Sequence, residues 1–141
     1  MAKATEGALE AALRMVEEMP QSAGAWVDHW HREDGGSEVD PLRLVLNVRF
    51  TGDLEVNERR VREVWGGALC VSAARYTMTE LIEVTERVIK EFPQVRSSWP
   101  DVVANRVGVL VFVATPEFQA ELDARYGVGM VRATGEARPV D

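Results

Sequence analysis

Cysteine is almost missing from this chain, and the single thiol of Cys70 rules out an internal disulfide framework. Flanked by Leu69 and Val71, Cys70 reads as a small buried hydrophobe rather than a nucleophile. Histidine is equally scarce. His29 and His31 fall in one local cluster, and Ser22, Ser37, Ser72, Ser97 and Ser98 carry no nucleophile-elbow pattern around them. No glycine-rich loop opens a helix. Gly66-Gly67 and Gly127-Val128-Gly129 come after helical patterns, where glycine terminates rather than cradles phosphate. An excess of positive charge is also lacking: 16 Lys and Arg face 23 Asp and Glu, a formal charge of -7, which argues against nucleic acid or an anionic membrane as partner. No apolar run is long enough to span a bilayer, and Glu6, Glu10, Glu17 and Glu18 interrupt the segment after Lys3, unlike the core of a signal peptide. The expected setting is the cytoplasm.

In their place the 141 residues contain a well-patterned core for one domain spanning 1–141. The clearest stretch runs from Asn105 to Gly127. Val107, Val109, Val111 and Val113 share one side of a strand, with Leu110 and Phe112 beside Gly108 on the other. Thr115 is placed to cap a helix that starts at Pro116, with Glu117 in its first turn. Phe118, Leu122 and Tyr126 mark one face, and Gly127 supplies the stop.

The rest of the chain divides around that stretch. Residues 1–41 hold a helix from Thr5 to Met19, closed by Pro20, and an irregular segment in which SAGAWVDHWHRED reads as a short helix or an irregular strand. Residues 42–76 form a first βαβ-like unit. Leu42, Leu44, Leu46, Val48 and Phe50 alternate with Arg43, Val45, Asn47 and Arg49; Asp53 is placed to cap a helix through Val61, Val64 and Trp65; a strand runs from Ala68 to Ala73. Residues 77–104 read as a connecting helix, Thr77 to Phe92 with capping-box spacing to Glu80, and a loop in which Trp99 anchors into the core. Residues 105–134 make a second βαβ-like unit with a last strand over Val128–Thr134, and 135–141 are a tail. In both units an apolar strand leads to a helix ending in an aromatic and glycine, Trp65-Gly66 and Tyr126-Gly127. The expectation is an α+β fold: a mixed sheet of about four strands from two βαβ-like units joined by a helix, helices mainly on one face, plus an N-terminal helix.

Two clusters are candidates for a site. Trp26 and Trp30 stand in a polar-aromatic segment whose exposed parts suit a protein partner. Asp28, His29, His31 and Glu33 in the same segment have the donor types for a divalent metal, but their spacing matches no specific metal motif. Arg43 and Arg49 on the polar side of the first strand, with Arg59, Arg60 and Arg62 on the helix, make a small cationic patch that Glu55, Glu58 and Glu63 largely neutralise. Asp53 and Glu55 are explained by a cap and a first-turn acid without catalysis.

The pieces FTGDLEVNERRVREVWGG and NRVGVLVFVATPEFQAELDARYG resemble small βαβ repeats of uncharacterised proteins from high-GC Gram-positive bacteria. The second is also faintly similar to pro-region units of secreted bacterial serine proteases, in which strand, helix and strand template a partner domain. The resemblance implies a non-catalytic bacterial module that presents a surface; it maps no functional residue. The favoured reading is a protein-interaction or self-associating module whose partner is another protein or a second copy, through Trp26, Trp30, Arg43, Arg49 and Arg59, with no cofactor and no catalytic residue. The competing reading is a small-molecule or metal-binding protein, which would include an enzyme of unassigned class.

Overall fold

The structure is a computed structural model that describes residues 5–29 and 44–137. It is α+β, with four helices and two three-stranded sheets among those residues. The chain divides into two compact units, Met1–Thr77 and Met78–Asp141.

The first unit opens with α1 (Glu6–Glu18), capped by the Thr5 hydroxyl, which accepts from the Ala8 amide at 3.1 Å. Strand β1 (Ser22–His29) runs antiparallel to β2 (Leu44–Phe50), with a register shift between Ser22 and Ala25. Helix α2 (Leu54–Val64) then carries the chain across to β3 (Ala68–Ala73), parallel to β2. Ala12, Val16 and Met19 of α1 and its end, Val61 of α2 and Trp65 just after it all meet Leu46, Val48 and Phe50, so both helices cover one face of this sheet. Each fully buried valine, leucine or phenylalanine side chain among them contributes about 1.5–3 kcal/mol. Trp65 is fully enclosed and satisfies its indole by donating Nε1–H to the Ala68 carbonyl at 3.0 Å.

The second unit repeats this order of elements. Helix α3 (Met78–Glu91) precedes β4 (Ser97–Asp101), which is antiparallel to β5 (Arg106–Val111); α4 (Pro116–Tyr126) then leads to β6 (Val131–Gly135), parallel to β5. Leu81, Val84, Val88, Val107, Val109, Val111, Phe118, Leu122 and Val131 are its buried hydrophobics along α3, β5, α4 and β6. Thr115 caps α4 by accepting from the Phe118 amide at 3.1 Å, with Pro116 next; Gly127 ends it at φ 101°, a conformation that disfavours side chains.

Several expectations are corrected. In place of a single sheet of about four strands, the described residues form two three-stranded sheets, with β2 and β5 each hydrogen-bonded on both edges within their own sheets. The extra strands are β1, which settles the ambiguous SAGAWVDH segment, and β4, in place of the expected loop. Pro100 disguises β4. It lies opposite Val107, whose N–H turns the other way to Met130 at 2.7 Å, so the missing proline donor costs the ladder nothing. Helix α3 is no connector, since it packs on β4 and β5 as part of the second unit. The last strand begins at Val131 rather than Val128. Asp53 occupies the cap position of α2 but is left-handed (φ 50°), and its side chain makes no cap bond; it accepts instead from Gln21 Nε2 at 3.1 Å. Cys70 is exposed, because alternation along β3 sends it away from the helices.

Candidate interaction surfaces

The described helices of the first unit gather on one face of its sheet, and no described helix packs on the opposite face; the alternation of burial gives the second sheet the same two-sided character. In the first unit the face away from the helices carries Trp26 and Asp28 of β1, Val45, Asn47 and Arg49 of β2, and Cys70 and Ser72 of β3, which the ladders bring side by side. Trp26 is half-buried and stands opposite Asn47. Asn47 is itself buried there, and its Nδ2 donates to Asp28 Oδ2 at 2.9 Å and to the Val45 carbonyl at 3.3 Å. Arg49 Nη2 donates to the Ala73 carbonyl at 3.1 Å.

The matching face of the second unit is more apolar. Trp99 of β4 stands opposite Gly108 of β5, and a Cβ at that glycine would overlap the indole, so the ring lies directly over the bare backbone. Leu110 comes next on the same side, then Phe112 just beyond the strand. Trp99 is 41% exposed and Phe112 63%, so this is an open apolar surface rather than the core anchor expected of Trp99. Arg132, opposite Gly108, and Arg106, opposite Asp101, border it.

Trp26 and Trp99 hold equivalent places in the two units. Each precedes an aspartate by two residues on the first strand of its sheet, and each faces the central strand one residue before a buried valine, Val48 or Val109. The signal for this lies in the sequence, where Trp26-Val27-Asp28 recurs as Trp99-Pro100-Asp101, upstream of the βαβ portions in both units.

The other candidates do not converge. Trp30, Arg43, His31 and Glu33 lie outside the described residues. His29 closes β1 opposite Leu44, and Asp28 beside it is exposed. Among the described residues no group of three or more His, Cys, Asp or Glu is arranged to hold a metal ion. Arg59 is exposed on α2, on the opposite side of the sheet from Arg49, with Nε donating to the Glu55 carbonyl at 3.4 Å. Arg62 of the same helix donates to the Gly67 carbonyl at 2.6 Å. The expected arginine patch therefore does not assemble from Arg49 and Arg59.

The most perturbed titratable groups join α3 to α4. Glu91 accepts from Arg125 Nε at 2.8 Å, Tyr126 OH at 2.8 Å and Arg87 Nε at 3.1 Å. The bonds from Arg125 first and Tyr126 second hold its carboxyl down at about 2. Burial, then the bond to that carboxylate, pushes the Tyr126 phenol up to about 12. Phe92 packs edge-on against Phe118 at 5.7 Å beside this group. A carboxylate so fully supplied with donors is a clamp between helices and is poorly suited to accept a proton near neutrality.

No helix among the described residues is long and apolar enough to cross a membrane. A scan against protein-family models finds no match, and a search of curated proteins finds none either.

Proposed function

We propose that this chain is a non-catalytic protein-interaction module of a bacterial cytoplasm, with another protein or a second copy of itself as partner. The observation that carries this reading is the exposed Trp99–Phe112 surface on the sheet face away from the buried valines. An aromatic patch with an arginine border has the composition of an interface centre rather than of ordinary solvated surface. Trp26 provides the corresponding position in the first unit. The polar groups of highest chemical interest, Glu91 and Tyr126, are engaged with each other and with arginines, which fits a scaffold better than a reaction centre.

The test is sedimentation of the purified chain over a range of concentrations, combined with pull-downs from native lysate at several salt concentrations. A Trp99→Ser/Phe112→Ser variant with an unchanged circular dichroism spectrum is expected to lose the association seen for wild type. A strict monomer that enriches nothing dependent on this face would overturn the reading.

A further inference from the structure

Among the described residues the two sheets have four edge strands, and three of them are guarded. Strand β1 is interrupted by the register shift between Ser22 and Ala25. Strand β4 carries Pro100. Strand β6 is plugged by Gln119 of α4, whose Oε1 accepts from the Ala133 amide at 3.0 Å while Nε2 donates to the Val131 carbonyl at 2.7 Å. That side chain stands where a neighbouring strand would.

Strand β3 has no such guard among the described residues. Its sequence, Ala68-Leu69-Cys70-Val71-Ser72-Ala73, holds no proline, glycine or charge, and no charged residue occurs from Trp65 to Ala74. The Ala74 amide donates to the Phe50 carbonyl at 3.0 Å, and Phe50 is in register with Ala73. By the alternation of a parallel ladder, Cys70 and Ser72 turn their backbone groups to β2, while Leu69 and Val71 turn theirs outward. Bare outward amides and carbonyls on an uncharged strand are a template for another strand.

We propose that β3 pairs antiparallel with β3 of a second copy of this chain, about a twofold axis at Cys70. This rests on the reading of the chain as an interaction module and names its surface and partner. The second copy is the occupant because, with the other edges guarded, β3 is the described strand it can offer in return. The free groups set the register. Centred on Cys70, Leu69 of each copy exchanges both of its backbone bonds with Val71 of the other. Centred on Val71, the pairing needs the Ala73 carbonyl, which already accepts from Arg49. The helices of both copies then lie on the same side, and the sheet faces away from them join into one larger surface. The two Cys70 residues form a non-hydrogen-bonded pair with Cα atoms ~4.5 Å apart, within the span of a disulfide.

The experiment uses the full chain. Wild type is expected to dimerise reversibly at roughly micromolar to tens of micromolar concentration, as befits a small interface. Added salt should tighten the dimer, since each copy carries -7. Cys70→Lys, an exposed position, sets two ammonium groups face to face and should raise the dissociation constant at least about tenfold with unchanged circular dichroism and urea midpoint. Diamide should cross-link wild type at least about tenfold faster than Cys70→Ser/Ser72→Cys, because position 72 then faces Ala68 of the other copy, far from its own twin. A wild-type monomer throughout, a dimer indifferent to Cys70→Lys, or equal cross-linking rates would each overturn the proposal. If Trp99→Ser/Phe112→Ser abolishes association while Cys70→Lys does not, the β3 pairing fails and the interaction reading stands.

Discussion

Removing the Gln119 side chain tests whether α4 stabilises and guards the edge of β6. In the folded chain the amide makes one bond to each of two backbone groups, the Ala133 N–H and the Val131 carbonyl, and a further bond from Nε2 to Asp123 Oδ1 at 2.9 Å. A net hydrogen bond contributes about 1 kcal/mol, so the two backbone bonds together amount to about 2 kcal/mol. Releasing an ordered glutamine returns up to ~1.5–2 kcal/mol of side-chain entropy, while Val131 is buried and its carbonyl is less easily rewetted. Gln119→Ala should therefore destabilise by about 1–2 kcal/mol in urea unfolding monitored by far-ultraviolet circular dichroism. Gln119→Glu separates the two functions. It keeps the acceptor for Ala133 but turns a carboxylate toward the Val131 carbonyl and the Asp123 carboxylate, so its loss at neutral pH should exceed that of the alanine variant. The folded-state pKa of the new carboxyl is raised by those neighbours. Its protonated form can donate again, so stability relative to wild type should be regained below the ordinary glutamate range and lost as pH rises through the folded-state value. The exposed β6 edge should also make both variants more prone to self-association. A Gln119→Ala variant within ~0.3 kcal/mol of wild type, or a Gln119→Glu variant with no added pH dependence, would refute the reasoning.

Glu91 is held at about 2 against an ordinary 4.5, so its contribution to stability is fully present above the ordinary value and fades as pH falls toward about 2; Glu91→Gln should flatten the acid limb of Tm against pH. Gly108→Ala should drive the Trp99 indole off β5, cost about 1–3 kcal/mol and shift its fluorescence to longer wavelength. Thr115→Ala should lose about 1 kcal/mol with its cap bond. Asp53→Gly should change stability by less than about 0.5 kcal/mol, because a left-handed residue relieved of its Cβ offsets the lost bond from Gln21.

Local chemistry makes some of this legible in the sequence. Thr115 caps as its spacing suggests, because capping involves only the adjacent turn. The alternations Leu44–Phe50 and Val107–Val111 read as strands because one side of each is buried against helices. The proposed interaction surface is half visible: the polar-aromatic neighbourhood of Trp26 makes it a candidate contact residue, whereas Trp99 reads as a core anchor and is 41% exposed. Nothing in SSWPD says which way its indole turns. That depends on Gly108, a residue distant in sequence whose missing side chain leaves room for the ring.

By itself, then, the sequence determined the α+β class, the helix ends and the two strand–helix–strand segments, all consequences of periodicities and caps that act within a few residues. Tertiary structure decided that α3 and β4 belong to the second unit, that three strands rather than two complete each sheet, and which faces and edges stay open. Those outcomes are set by hydrogen-bond ladders and packing between residues far apart in the chain. Gln119 combines both levels in one side chain: its place on α4 is legible from helical spacing, but its bonds to Val131 and Ala133 exist only once β6 has docked beside β5.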